Sequence, residues 1–436
     1  MKRVSRSRQA RPKHRPMLKR ELGLLGAVVY GIGIIFGAGI YVLISPAAGM
    51  AGNALWLSFL VAATTASLTG MSYMELISMF PKSAAEYIYV KNAFHSRLPA
   101  FNVGWVEIFT DVIATAAVSL GFAGYFSVLT GFPAVPVALC LIALMSLVNF
   151  LGIGQSSKLN FALSGIALGG LVFLIISAFT LGRDRLLTAD YFEMPNGLTG
   201  VLGAASLIFF AYIGFEELAN LSEETKDARR IVPRALLISV VITTAVYMLI
   251  SVAVIGLVGW QALSASSAPL ALVASSMFGP NAFLLMSILA LFTTASTVLV
   301  GLIVSSRVLY GMSRDGALPK VLSTVDMRRC TPWVAILTSM LLAMSFVLIE
   351  RIDIVASVTD MGTFYMFAFV NLAALLLRCA PLNIGRFPLV PFFGLVTSLI
   401  LASQLNPLSI AIGGVIVIAG VVVYFVFIKK KAEKIF

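Results

Sequence analysis

Glycines gather where an apolar run should be an unbroken helix. Gly31, Gly33, Gly37 and Gly39 fall within the stretch Gly31-Ile-Gly33-Ile-Ile-Phe36-Gly37-Ala38-Gly39. Each glycine costs about 1 kcal/mol relative to alanine inside a helix. The segment Gly37-Ala38-Gly39 is therefore expected to unwind. Gly33 and Gly37 also form a small-xxx-small pair suited to close helix packing, and both readings stay open at this point. Unwinding frees backbone N–H groups at the start of a second half-helix, where the helix dipole favours a bound anion. A second run, Phe209-Phe210-Ala211-Tyr212-Ile213-Gly214-Phe215-Glu216-Glu217, puts a glycine and two adjacent carboxylates into another apolar segment. Two interrupted apolar segments in corresponding places point to a transport site between them.

Acids recur inside other apolar runs. Glu107 and Asp111 are four residues apart and share a helix face. At 1.5 Å per residue, Asp111 lies roughly 15 Å into its span. Asp360 and Glu216 are similar cases. Acids at such depth usually face a cavity and mark an ion, proton or substrate path; a structural acid bonded to its neighbours is the alternative. Glu75, Glu86, Glu223 and Glu224 fall near the rim, where loop contacts are expected. No HExxH, GxSxG or P-loop pattern is present, so no enzyme chemistry is expected. Cys140, Cys330 and Cys379 are too scattered for a disulfide framework or a zinc site, and His14 and His95 form no metal cluster. Neither a cofactor nor a metal is expected.

The elements that position these residues follow from composition. The chain has 436 residues, 59% hydrophobic and 11% charged, with mean hydropathy +0.99. Soluble domains carry about 25% charged residues, so lipid must be the solvent for most of this chain. In lipid every backbone group pairs internally, which leaves helices or a closed barrel. Barrel strands alternate apolar and polar residues; the runs here are long and continuous, so helices are expected. Spans are expected near 22–45, 53–80, 102–130, 134–151, 158–181, 199–221, 232–258, 283–312, 333–349, 354–377, 388–404 and 407–428, about twelve in all.

Charge orients them. The net charge of +12 is spread between apolar spans and not gathered on one domain, which speaks for membrane topology and against nucleic acid. Of the 31 Lys and Arg, 28 fall on the side of the amino terminus, and Arg183, Arg185 and Arg351 fall on the other. Both termini are therefore expected in the cytoplasm of a multi-pass cell-membrane protein. Residues 1–20 form a basic tail without acids, able to touch anionic lipid, and a cleaved signal peptide is not expected. The broken segments lie in spans one and six, five apart. That suits a first five-helix repeat over 21–182, an inverted second repeat over 183–380, helices eleven and twelve over 381–428, and a basic tail at 429–436.

Four stretches carry a resemblance: GIGIIFGAGIYVL (31–43), YMELISMFPKSAAEYIYVKNAF (73–94), FFAYIGFEELANLSEETKDARRIVPRA (209–235) and YGMSRDGALPKVL (310–322). The chain resembles the amino acid–polyamine–organocation permease superfamily over nearly its whole length. It departs at Asp227-Ala228, where the family usually has Asn-Pro. The resemblance implies an all-α membrane fold of the leucine-transporter type: a 5+5 inverted repeat plus two C-terminal helices. It also implies an α-amino acid held mainly by backbone. The Ala38 and Gly39 N–H groups would meet its carboxylate, and the Ile35, Phe210 and Ile213 carbonyls its ammonium. Gly37, Ala211 and Gly214 complete the broken segments, and the Phe210 ring matches an aromatic gate. Glu216 aligns with an acid common in the family.

The coupling ion is less constrained. Some proton-coupled members carry a lysine in helix five; here Ala167 stands at that position and Lys158 lies nine residues earlier. Sodium-coupled transporters of this fold use a set matching Gly33, Phe36, Ala290, Thr293 and Thr294. Threonines in helices often bond their own i−4 carbonyl instead. The resemblance favours protons over sodium. The expected function is a secondary active amino acid permease working by alternating access. The alternatives are a polyamine or organic-cation permease of the same fold and a non-transporting membrane receptor.

Overall fold

The computed structural model describes residues 23–80, 85–151, 156–216, 218, 225–314, 316–326, 329, 331–377 and 389–429. The tail at 1–20, nearly all of the tail at 429–436, Glu217, Glu223, Glu224, Cys330, Cys379 and the side chains of Lys158 and Ala167 lie outside the described residues. Among those described, regular structure is helical apart from isolated bridges such as Asp326 with Thr331.

The first expected span is two helices, α1 (Leu24–Ile35) and α2 (Gly39–Ala51). There follow α3 (Leu55–Met79), α4 (Ala85–Phe94), α5 (Arg97–Thr130), α6 (Ala134–Leu151), α7 (Ser156–Leu181) and α8 (Arg183–Thr188). The sixth span is α9 (Gly197–Ile208), continued by a 3₁₀ turn, Phe209–Tyr212. Then come α10 (Ala228–Ser264), α11 (Pro269–Phe278), α12 (Pro280–Arg314), α13 (Trp333–Val347), α14 (Ile352–Leu376), α15 (Leu389–Ser403) and α16 (Pro407–Val423). Seven helical runs among the described residues are long and apolar enough to cross a membrane, and shorter apolar helices stand at the other expected places. The short helices α4, α8 and α11 were not expected. α10 runs past the expected end at 258, but it kinks there, because Gly259 takes φ 75°.

The long helix α5 is the central post, packed against α12, α14, α6, α13, α4 and α16. Lipid tails are as apolar as leucine, so helices in a bilayer associate through close packing and polar contacts. Both are present. Small residues let side chains seat against backbone: Gly121 meets Val42, Gly301 meets Thr115 and Gly362 meets Thr110. Asn371 on α14 joins α3, accepting from Ser72 at 2.6 Å and donating to Thr69 at 3.1 Å. On α5, Asn102 Nδ2 and Trp105 Nε1 donate to the Val417 and Ile416 carbonyls of α16, both at 3.0 Å. Tyr365 of α14 donates to Asn102 Oδ1 at 2.8 Å.

Candidate substrate site

The first break is short and tight. α1 ends at Ile35, and Phe36 takes φ −72°, ψ 48°. That geometry is near an inverse γ-turn, and the Gly37 N–H accordingly donates to the Ile35 carbonyl at 2.7 Å. α2 begins at Gly39 with no side-chain cap and no acid in its first turn. Its first main-chain bond runs from the Val42 N–H to the Ala38 carbonyl at 3.1 Å. The N–H groups before Val42 stand at the start of the helix, where intrahelical acceptors are missing.

The second break spans more residues. After the 3₁₀ turn the chain extends at Ile213 (φ −57°, ψ 137°) and turns at Gly214 with φ 114°. Side-chain-bearing residues are strained there, which explains the glycine. The Gly214 N–H donates to Glu216 Oε2 at 2.9 Å, and the Ile213 N–H to the Phe210 carbonyl at 3.3 Å. Glu216 is 9% exposed. One of the two adjacent carboxylates thus closes the turn after the break.

The two breaks meet. A Cβ on Gly39 would lie 2.7 Å from Ala211 Cα, so the helices approach backbone to backbone at this point. Tyr247 of α10, fully buried, places its hydroxyl 2.9 Å from the Ile35 carbonyl and 3.0 Å from the Ala211 carbonyl. Its single proton is shared between acceptors on both broken segments. Phe36 packs edge-on against the same ring, with centroids 5.3 Å apart, and Tyr212 does so at 5.4 Å. Sequence reasoning missed Tyr247. A lone tyrosine in an apolar helix gives no spacing signal, and only the fold brings it to both breaks. The Ile35 carbonyl already accepts from Gly37 and Tyr247, so a ligand ammonium must compete with the tyrosine there. Phe210 is buried at the centre of the second break.

The other candidates are spread around this centre. Glu107 and Asp111 on α5 are half-buried, and each engages a neighbour. Thr293 and Thr294 on α12 are buried and donate to the Leu289 and Ala290 carbonyls, both at 2.7 Å. The Ala290 carbonyl in the sodium-type set is therefore already an acceptor. The Thr293 side chain is also hydrogen-bonded to Tyr41, which ties α12 to α2. A Cβ on Gly33 would meet nothing within 4 Å. Asp360 on α14 is fully buried. Among the described residues no group of three His, Cys, Asp or Glu could hold a metal ion.

Beyond the breaks lies a cavity of about 510 Å³ between α2, α5, the loop before α11 and the start of α14. Val42, Ser45, Tyr125, Ser266, Glu350 and Asp353 are among its lining residues. Ser45 Oγ is 2.9 Å from the Ser266 carbonyl and 3.1 Å from that of Ser264, and Tyr125 donates to the Tyr41 carbonyl at 3.0 Å. These contacts fasten α2 to α5 and to the loop before α11.

A family model described as amino acid permease matches residues 22–429. The chain is 31% identical to the branched-chain amino acid permease BcaP of Bacillus subtilis, over 95% of this chain and 94% of that one. It is 32% identical to an uncharacterised transporter of Mycobacterium tuberculosis, over 93% and 91%. It is 28% identical to the vacuolar cationic amino acid transporter 4 of Arabidopsis thaliana, over 84% of this chain and 64% of the relative.

Proposed function

Because the chain belongs to the amino acid permease family, we propose that the two breaks hold an α-amino acid as a zwitterion and that the protein carries it across the cell membrane by alternating access. The observation that carries this reading is the meeting of the breaks: Gly39 against Ala211, with the Tyr247 hydroxyl bonded to both segments. The substrate carboxylate sits at the start of α2, against main-chain N–H groups that have no side-chain cap. The ammonium takes carbonyls of the broken segments, those of Phe210 and Ile213 and, in competition with Tyr247, that of Ile35. Small residues at Gly37, Ala38 and Gly39 permit that approach.

Twelve spans in a 5+5+2 arrangement, with both termini cytoplasmic, are part of the same proposal. The break in the first span and the break in the sixth, facing each other, support the repeat. The coupling ion is a proton. The buried carboxylates support it, and the threonines of the sodium-type set bond to their own helix. The substrate is taken as apolar, after the name of the Bacillus relative.

The test is binding of L-leucine, L-arginine, L-leucine methyl ester and spermidine to the purified protein. Leucine should bind, and its methyl ester, which lacks the carboxylate charge, should not. Equal affinity for leucine and its ester would remove the α2 start as the carboxylate site. Binding of spermidine without either amino acid would replace the amino acid reading.

A further inference from the structure

Asp360 stands apart from the other buried acids. It lies eight residues into α14, about 12 Å from Ile352 at 1.5 Å per residue, near the middle of a hydrocarbon core about 30 Å thick. Its side chain is 0% exposed, and neither carboxylate oxygen has a hydrogen-bond partner among the described residues. Glu107, Asp111 and Glu216 each engage a neighbour. α9, α15 and α16, packed against α14, bring no titratable side chain to it. Of the other packed elements, α5 carries Arg97, Glu107, Asp111 and Tyr125, α3 carries Tyr73 and Glu75, α4 carries Glu86, Tyr87, Tyr89 and Lys91, and the 3₁₀ turn carries Tyr212; none of these bonds Asp360.

Its place on α14 ties it to the second break. Asp360, Phe364, Phe367 and Asn371 follow one another at i, i+4, i+7 and i+11, on one helix face. The Phe364 ring lies 4.7 Å from that of Phe209, and Phe367 lies 5.8 Å from Phe209 and 5.4 Å from Phe215. Phe209 and Phe215 bracket the break, and Asn371 anchors the lower end of the stripe to α3. Any change in how this face of α14 packs is felt at both ends of the broken segment.

We infer that Asp360 is the proton-binding group of the transport cycle, and that its charge state sets how α14 packs against the second break. This rests on the reading of the breaks as an amino acid site. A proton from the outer medium forms one O–H bond on a carboxylate oxygen; no other bond changes, and a neutral side chain is compatible with the full burial observed. Loss of that proton to the inner medium leaves a carboxylate without a partner, which is costly in such surroundings. Water must then reach it, and the stripe must loosen from Phe209. Proton binding and substrate binding are linked through this face, each favouring the other by the same factor.

The experiment compares wild type, Asp360→Asn, Asp360→Glu and Asp111→Asn in liposomes. Radiolabelled L-leucine is the probe, in counterflow and under an imposed inward proton gradient. Wild type should accumulate leucine with the gradient. Asp360→Asn should keep counterflow and lose the gradient-driven accumulation, and Asp360→Glu should restore part of it. Accumulation retained in Asp360→Asn, or lost only in Asp111→Asn, overturns the assignment. Infrared difference spectra between acid and alkaline samples supply a readout that needs no substrate. They should contain a carboxyl C=O band absent from Asp360→Asn, and identical spectra overturn the proposal. Absence of leucine counterflow in wild type counts against the substrate reading, and the infrared comparison then decides for Asp360 alone.

Discussion

Gly39→Val puts the contact between the two breaks to a direct trial. A Cβ at this position would stand 2.7 Å from Ala211 Cα and 3.0 Å from Ala211 Cβ. Carbon atoms at ease lie about 3.5–4.0 Å apart, so α2 must withdraw from the second break by about 1 Å. Valine adds two stiff methyl groups to that conflict. Overpacking of this kind costs about 1–3 kcal/mol, which a folded membrane protein can survive. The consequence for binding is larger. Hydrogen bonds to a charged group contribute about 1.5–3 kcal/mol each. Withdrawing two N–H donors from a substrate carboxylate therefore weakens binding by about 3–6 kcal/mol, or about 10²–10⁴ in Kd. The assay is calorimetric binding of leucine to purified protein, with thermal unfolding recorded in the same detergent. Gly39→Ala should fall between wild type and valine. Wild-type affinity in a folded Gly39→Val protein would refute the placement of the carboxylate at the start of α2.

Tyr247→Phe removes a hydroxyl bonded to both broken segments and takes a donor from the Ala211 carbonyl. It should lower stability by about 1–3 kcal/mol and raise the Kd for leucine, and unchanged values in both measurements would show the bridge to be dispensable. Leucine affinity should be equal in sodium and choline buffers at fixed pH. A sodium-dependent gain that Thr293→Val or Thr294→Val abolishes would replace proton coupling by sodium coupling, and by linkage leucine would then tighten sodium binding by the same factor. Asn371→Ala takes the partner from Ser72 and Thr69 inside the α3–α14 contact; a loss of about 1–3 kcal/mol is expected, read as a lower unfolding temperature, and unaltered unfolding would mean that packing alone holds the two helices.

Much of this was legible because lipid imposes so few solutions. Continuous apolar runs could only be helices, and the glycine cluster at 31–39 marked where one of them stops. The unwound residues Phe36 to Ala38 overlap the expected Gly37 to Gly39, shifted one residue earlier. Phe209 to Gly214 marked the second break in the same way, through glycine and charge in an apolar setting. That a site lies between the breaks was expected, but the contacts that join them were not legible. Nothing in Gly39 or Ala211 announces that their backbones touch, and Tyr247 enters only through the course of α10. The short helices α4, α8 and α11 escaped because segments of ten residues or fewer fall well short of a span, whether of mixed polarity like α4 and α8 or apolar like α11. Asp360 was picked out by its depth, but its lack of hydrogen-bond partners among the described residues is a property of seven neighbouring elements and of no sequence window.

The grip of α5 on α16 has a consequence for how this chain can vary. Asn102 and Trp105 hold α16 by its carbonyl oxygens, which every residue supplies alike. Those bonds therefore ask nothing of side-chain identity at Ile416 and Val417, which need only stay apolar to pack on the core, and the outward-facing Val415, Ile418 and Val422 answer only to lipid. Constraint concentrates instead at Gly413 and Gly420, where a Cβ would strike Met361 and Trp105. In a catalogue of tolerated substitutions, α16 should read as long permissive stretches punctuated by two intolerant glycines. It is a helix that can drift in sequence while staying fixed in place.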